Sequence, residues 1–522
     1  MLKTPIILLV SLFSLLPCLA QDGVKMEAEE ANYANCTLVR DSKYSGGKAL
    51  EMTDEKARIS FTYQASERGK YTLRIGYDAL YGSKVVNVTV NGNTFPFQTG
   101  NNVMEEAEVG IFMMNQGKNT IVITPSWTWV RIDYIRVTPG GSTVEFDIAD
   151  TPVDTHATDA ARTLYSFLYE NFGKKTISGI MTGDMTTANG NVTQHADVKA
   201  VFQMSGKYPA LVGFDFMNAT GKSAADYWMK SYTRSSVDLA KDTYRRGGFP
   251  AFTWHWRDPS KSTDEFYTDR TNMRITNALK SDGTWNTSST LYKNIIRDID
   301  AVADFFLELQ EAGMACIFRP LHEASGGWFW WGREGAGPFL KLYHLLYDEM
   351  VKVKGVHNVI WVWNADPADA DWCPGDDYYD IVSADIYNAD FDYSSNGPTF
   401  YNLQKLTKGK KIIALSENGP IPDIEKEVDE EAVWSWWMPW YQTWNGGFVN
   451  KTSAAEWHKC MNDNRVVTLD DMAGGWKAFA KVAPIDYATE NDHRIYDLHG
   501  RILSRKPAHG IYIIGGKKVT VR

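Results

Sequence analysis

Residues 291–323 read LYKNIIRDIDAVADFFLELQEAGMACIFRPLHE. Two periods meet inside this stretch. Leu291, Ile295, Ile299, Val302, Phe305 and Leu309 recur at spacings of three and four, so they line one face of an amphipathic helix. Residues 315–319 then form a short apolar run, the pattern of a strand buried on both faces. A helix feeding directly into a buried strand is part of a βα repeat and predicts a parallel sheet.

Seven further runs of the same kind flank it. They fall at 176–181, 210–216 and 249–254 before it, and at 359–363, 381–384, 411–416 and 433–438 after it. Eight strand candidates within residues 158–482 predict a (β/α)8 TIM barrel. A doubly wound open sheet is the alternative, but no Gly-rich phosphate loop follows any of the strands. Residues 21–140 read differently. Short alternating runs at 57–63, 71–77 and 85–90, the last followed by the turn pair Asn91-Gly92, predict an N-terminal β-sandwich. Gly140-Gly141-Ser142 begins a linker. Residues 485–522 form a short β-rich C-terminal tail, too small to carry its own core.

The composition agrees with several domains. The chain has 522 residues, 44% of them apolar, and a formal net charge of −10. That charge argues against a nucleic-acid partner. Many of the 19 Trp stand beside Gly, Asn, His or Glu. Core filling accounts for most of them, but a Trp face ringed by polar groups also suits the C–H surface of a sugar. Lys3, the apolar run 5–16 and Cys18-Leu19-Ala20 predict a secretory signal peptide over 1–20. It is too short to span a bilayer, and no other stretch is long and apolar enough to do so. A lipid-anchored Cys18 is the alternative, although Pro17 stands where a small residue is preferred. Cys36, Cys316, Cys373 and Cys460 show no metal spacing. Cys316 is expected to be a buried free thiol. A Cys373–Cys460 disulfide would suit an oxidising compartment but is not implied by the sequence.

The ends of the barrel strands carry the chemistry. The fourth ends in Arg319-Pro-Leu-His-Glu323 and the seventh in Leu415-Ser-Glu417-Asn-Gly419. One such Glu alone is best read as a helix cap or an ion-pair partner. Two, on strands that face each other across a barrel, form the pair that glycoside hydrolysis needs. One protonates the leaving oxygen, while the other attacks the anomeric carbon or activates water. The acid must stay protonated near neutral pH, so burial or the second carboxylate should raise its pKa. Trp328, Phe329, Trp330 and Trp331 could supply an apolar wall. His255 and Trp256 follow the third strand as candidate substrate contacts, with a structural role for His255 equally open. Asn364 ends the fifth strand; Asp385 and Tyr387 end the sixth. The Tyr387 hydroxyl could hydrogen-bond the nucleophile, and Arg319 could hold it by charge or serve in a structural ion pair. Trp437 or Trp440 could floor a sugar site.

Arg319-Pro-Leu-His-Glu323 with Gly326-Gly-Trp-Phe-Trp-Trp331, together with Ser416-Glu-Asn418, resembles glycoside hydrolase family 26 over residues 158–482. The resemblance implies a retaining barrel enzyme without a catalytic cofactor. Most members are endo-β-1,4-mannanases acting on β-mannan, glucomannan or galactomannan. Mixed-linkage β-glucan and β-1,3-xylan are alternative substrates, and a non-catalytic glycan-binding surface protein is the reading from another class. By resemblance Glu323 is the acid/base and Glu417 the nucleophile. His322 orients the acid/base and Tyr387 contacts the nucleophile. His255, Trp328 and Trp440 match substrate contacts, with Trp256 and Asp385 counted beside them. The N-terminal region, from Met26-Glu-Ala-Glu29 to Trp129-Val-Arg-Ile-Asp133-Tyr-Ile-Arg-Val137, is similar to carbohydrate-binding module family 35. That similarity implies a structural Ca2+ on Glu27, Glu29 and Asp133 and a sugar-stacking loop at Trp127 and Trp129. The tail resembles the end of a type IX secretion sorting domain of Bacteroidetes-type bacteria, in a shorter form. The expectation is a monomer, secreted, periplasmic or at the cell surface of a Gram-negative bacterium.

Overall fold

The computed structural model describes residues 23–141, 144–185, 188–441, 447 and 451–472, and the backbone of four short strands in the tail. The expected signal peptide, Cys18 and Ser142 lie outside the described residues. Two compact units divide the chain, residues 1–475 and 476–522.

The N-terminal region folds as two antiparallel sheets. One contains β1 (Val24–Glu27), β3 (Thr37–Arg40), β4 (Lys48–Met52), β6 (Gly69–Asp78), β9 (Met104–Met114) and β11 (Val130–Pro139). The other is ordered β2 (Asn32–Ala34), β5 (Arg58–Ala65), β10 (Gly117–Pro125), β7 (Val85–Val90) and β8 (Asn93–Gln98). In β5 the alternation expected of a half-buried strand is plain: Ile59, Phe61, Tyr63 and Ala65 point inward and their neighbours outward. They meet Leu73, Ile75, Ile132 and Ile135 of the facing sheet in a continuous core.

The barrel strands are β12 (Thr176–Met181), β13 (Leu211–Asp215), β14 (Phe249–Trp254), β15 (Cys316–Pro320), β16 (Val359–Asn364), β17 (Ile381–Ile386), β18 (Ile412–Asn418) and β19 (Trp436–Pro439). Each pairs in parallel with the next, and β12 pairs with both β13 and β19, so the sheet closes. Closure removes the open-sheet alternative. The helices are α1 (Asp159–Asn171), α2 (Ala196–Ser205), α3 (Tyr227–Arg245), α4 (Thr290–Glu311), α5 (Ala336–Tyr347), α6 (Gly397–Leu406), α7 (Ile424–Asp429) and α8 (Ala454–Met461). The opening stretch of sequence is α4 and β15. Ser289 caps α4 by accepting from the Tyr292 N–H, and Ile295, Ile299, Val302, Phe306 and Leu309 are buried against the barrel.

Two departures from the expected strand bounds matter for the site. β17 and β18 run on past their apolar stretches, which places Asp385 and Glu417 within strands. The β17–β18 register shifts between Ala384 and Asp385, and the β18–β19 register shifts between Leu415 and Asn418. Such bulges bend a strand and re-aim its side chains. β19 starts later than expected, and a two-residue strand β20 (Val466–Val467) pairs with the start of β12.

Helix α6 packs against β8 and β9 of the sandwich. Gly110 lies so close to Asn402 that a Cβ would meet its amide at 2.6 Å. Lys405 pairs with Glu108 at 2.7 Å, and Asn93 donates to Glu430 at 2.6 Å. The four cysteines of the described residues are free, which corrects the Cys373–Cys460 pairing. Cys373 lies against the Tyr379 hydroxyl, whereas Cys460 is buried in α8 beside Glu456. Among the described residues no helix is long and apolar enough to cross a membrane. In the tail, strands Ile495–Tyr496, Ile502–Leu503, Gly510–Ile514 and Lys517–Val521 form an antiparallel sheet.

Candidate active site

Glu417 is buried near the end of β18. Two donors converge on it, and a histidine ring stands nearby. Tyr387 donates its hydroxyl to Oε2 at 2.6 Å, and the Arg319 guanidinium from β15 contacts Oε1. His322 Nε2 stands 4.0 Å from the same Oε1. The second arm of Arg319 reaches Asp385 Oδ2 at 2.7 Å. Arg319 is 3% exposed, so it belongs to the floor of the site. Burial and the Glu417 charge push the Tyr387 phenol well above its ordinary value, which keeps it a donor.

Glu323 follows the proline that ends β15. Leu321 and Glu323 both take left-handed backbone conformations, φ 50° and 53°. Such conformations cost about 1–3 kcal/mol in a non-glycine residue and persist only where the surroundings enforce them. Here the Glu323 N–H donates to Asn364 Oδ1 at 2.7 Å, and the Trp331 indole donates to the His322 carbonyl at 2.8 Å. The Trp328 indole donates to Glu323 Oε2 at 2.8 Å. Carboxylate oxygens of Glu323, Asp385 and Glu417 all approach within 4.8 Å of one another. Burial, then the Glu417 charge, raises the Glu323 pKa against the opposing pull of Arg319. Burial likewise holds Asp385 well above the carboxylate range despite Arg319.

The aromatic candidates divide. Of the wall after Glu323, Trp330 and Trp331 are fully buried, while Trp328 is 48% exposed and faces the opening. Trp256 is also fully buried: it stacks on Trp254 and donates to Asp298 at 3.1 Å, so it belongs to the core and not to a sugar-facing surface. Trp437 is buried against Trp457. Trp440 is the last-strand Trp that reaches the site, with its ring edge-on to His255. Trp434 and Trp436 also fill the core. The long loop after β14 walls one end of the cleft. Thr268 bonds the backbone of Trp328 and Gly327, and Arg333 donates to the carbonyls of Thr268, Thr271 and Met273. Tyr267, Arg270, Trp328 and Arg333 line a cavity of about 570 Å³ there.

Asp215 was not singled out by sequence. It ends β13, is buried, and binds His255 Nδ1 at 2.6 Å. An acidic residue closing an apolar strand is the signal that marks Glu417, and it was present here too.

In the sandwich, Glu27, Glu29 and Asp133 come together. Glu27 Oε2, Glu29 Oε2 and Asp133 Oδ1 are buried without a hydrogen-bond partner among the described residues. Ser45 donates its N–H to Asp133 and its hydroxyl to Glu27. Burial, with the charges of Glu27 and Glu29, pushes Asp133 up to about 6. Trp127 and Trp129 are 68% and 50% exposed, and Tyr81 packs edge-on against Trp129.

A closed parallel barrel with two carboxylates converging at the ends of two separate strands is an architecture that glycosidases use. Residues 153–471 match glycosyl hydrolase family 26, and residues 24–140 match carbohydrate binding module (family 35). The chain belongs to glycosyl hydrolase family 26. A mannan endo-1,4-beta-mannosidase of Thermothelomyces thermophilus is 36% identical over 86% of this chain and 90% of its own length. A mannan endo-1,4-beta-mannosidase A of Piromyces sp is 33% identical over 89% of this chain and 75% of its own. The crystal structure of a Podospora anserina GH26-CBM35 beta-(1,4)-mannanase superposes with a TM-score of 0.58 and 31% identity. It covers 88% of this chain and all of that one. A beta-mannanase from a symbiotic protist of the termite Reticulitermes speratus, complexed with gluco-manno-oligosaccharide, gives 0.57 and 38% identity over 63% of this chain and 99% of its own.

Proposed function

We propose that this chain is a retaining endo-β-1,4-mannanase that hydrolyses β-mannan, glucomannan or galactomannan, with Glu323 as acid/base and Glu417 as nucleophile. The observation that carries the reading is the approach of the two carboxylates to within 4.8 Å. A gap of about 5 Å suits direct attack on the sugar, whereas about 6.5–9.5 Å leaves room for a water and inverts.

The partners of each carboxylate separate their roles. Glu417 is held by a cation and a phenol, which suits a carboxylate that must be anionic when it attacks. Burial and the Glu417 charge raise the Glu323 pKa, which suits a group that must deliver a proton, and the Trp328 indole orients it. In the first step Glu417 bonds the anomeric carbon, the glycosidic C–O bond breaks, and the Glu323 proton passes to the leaving oxygen. In the second step Glu323 takes a proton from water, whose oxygen displaces Glu417 and restores both groups. Each β linkage cut therefore gives a β product.

The mannan substrate is supported by the names of the relatives above. Reducing-sugar release from mannan, mixed-linkage β-glucan and β-1,3-xylan tests it; activity on glucan or xylan with none on mannan would overturn it. The presence of both carboxylates disfavours the non-catalytic binding reading.

The module over 21–140 binds carbohydrate through Trp127 and Trp129 and holds a structural Ca2+ on Glu27, Glu29 and Asp133. The three orphaned buried oxygens fit that ion, which takes oxygen ligands. The enzyme acts as a monomer. The signal over 1–20 exports it, to a secreted, periplasmic or cell-surface location in a Gram-negative bacterium.

A further inference from the structure

We propose that Asp215 is a positioning residue of this site: it locks the orientation of His255 and maintains a positive charge on that ring beneath the catalytic pair. The inference rests on the assignment of Glu323 and Glu417.

The geometry is a buried chain of hydrogen bonds. Asp215 Oδ1 accepts from the backbone N–H of Met217 at 2.8 Å and of His255 at 3.1 Å, which fixes the carboxylate. Its Oδ2 accepts from His255 Nδ1 at 2.6 Å. The other ring nitrogen of His255 lies 3.2 Å from His322 Nε2. His322 Nδ1 in turn lies 3.3 Å from the Thr253 hydroxyl, which donates to the Arg319 carbonyl. One arrangement of protons satisfies every contact. Thr253 gives its proton to the carbonyl, so its oxygen accepts from His322 Nδ1–H. The His322 Nε2 is then an acceptor, and His255 must donate to it. With Nδ1–H also committed to Asp215, His255 carries both protons and is an imidazolium.

The surrounding charges agree. His255 is packed among Asp215 of β13, Arg319, His322 and Glu323 at the end of β15, and Glu417 of β18. Burial works against its charge, but the Asp215 carboxylate together with the Glu417 charge leaves the ring above its ordinary value. Burial, Arg319 and His255 itself drive His322 well below, so it stays neutral. A cation in this place acts on the Glu417 carboxylate. Asp215 fixes one ring nitrogen of His255 and His322 meets the other.

Asp215→Asn keeps the shape and removes the charge. Selective 15N labelling of histidine, with His255→Gln to assign the signal, reads the ring directly at pH 7. Two protonated ring nitrogens are expected in the wild type and one in Asp215→Asn. Turnover of manno-oligosaccharides should fall at least tenfold in Asp215→Asn, with the unfolding midpoint retained. In the His255→Gln background the same change should cost little more, because both substitutions remove one interaction. A neutral His255 ring in the wild type at pH 7 would overturn the proposal. So would full additivity of the two substitutions. Loss of activity in Glu417→Ala tests the underlying assignment separately, since it does not depend on the His255 spectrum.

Discussion

The Tyr387 hydroxyl donates to Glu417 Oε2 at 2.6 Å while Arg319 occupies the other oxygen of the same carboxylate. The proposed nucleophile thus has both oxygens held before substrate arrives. Tyr387→Phe removes one charge-assisted bond of about 1.5–3 kcal/mol, so kcat should fall roughly 10- to 150-fold. Tyr387 is 37% exposed at the mouth, so the fold should survive. Steady-state kinetics with a matched unfolding curve check this; unchanged kcat would remove Tyr387 from the chemistry.

As the proposed acid/base, Glu323 should set an alkaline limit. Burial and the Glu417 charge raise its pKa, so the proton needed by the leaving oxygen is present below the raised value and lost as pH climbs through it. Glu323→Gln should abolish that limb. With an aryl mannoside whose phenolate leaves without protonation, Glu323→Ala should still form the glycosyl intermediate and then stall. A burst followed by slow turnover is the expected trace, and added azide should accelerate the second phase.

Much of this was legible in sequence because strand ends announce themselves. Glu417 and Glu323 each close an apolar run, and the eight runs give the barrel its count. Asp215 closes such a run too, but nothing in a linear reading says that its partner is His255, forty residues away just past the end of the next strand. Trp256 and Trp437 show the opposite failure. Residues adjacent along an extended backbone point to opposite sides, so the neighbour of a site residue can enter the core. A Trp among Trp and His gives no sign of which side it takes. Nor does a hydropathy pattern reveal the bulges that turn Asp385 and Glu417 toward the mouth, because backbone register is set between strands.

The proposed Ca2+ site predicts that Asp133 makes the sandwich sensitive to both metal and pH. Its folded pKa is raised to about 6 from an ordinary 3.8. The folded state therefore holds the proton more tightly, and its stability falls as pH rises between those values. Ca2+ on the three carboxylates reverses the sign, since it binds their ionised form. At pH 7 chelation should lower the unfolding temperature of the module, and added Ca2+ should restore it. At pH 4 the difference should nearly vanish. Calorimetry at the two pH values checks this, and Asp133→Asn should show no response to Ca2+ at either.

Trp127 and Trp129 lie on the surface of the sandwich, 68% and 50% exposed, where burial cannot explain two large rings. Tyr81 packs its edge against Trp129 and steadies it. Stacking on a sugar face would cover this surface, and Trp127→Ala with Trp129→Ala removes it without disturbing either core. The double variant should bind insoluble mannan at least tenfold more weakly while kcat on soluble manno-oligosaccharides stays unchanged. Deleting the module is a harsher change. It strips Asn93 from Glu430 and β9 from α6, and α6 follows the loop that begins at Tyr387. The deletion should therefore lower the melting temperature of the barrel, which the double Trp variant should not. Pull-down on insoluble mannan and a melting curve for both proteins separate the two roles. Equal melting temperatures would mean that the sandwich serves binding alone.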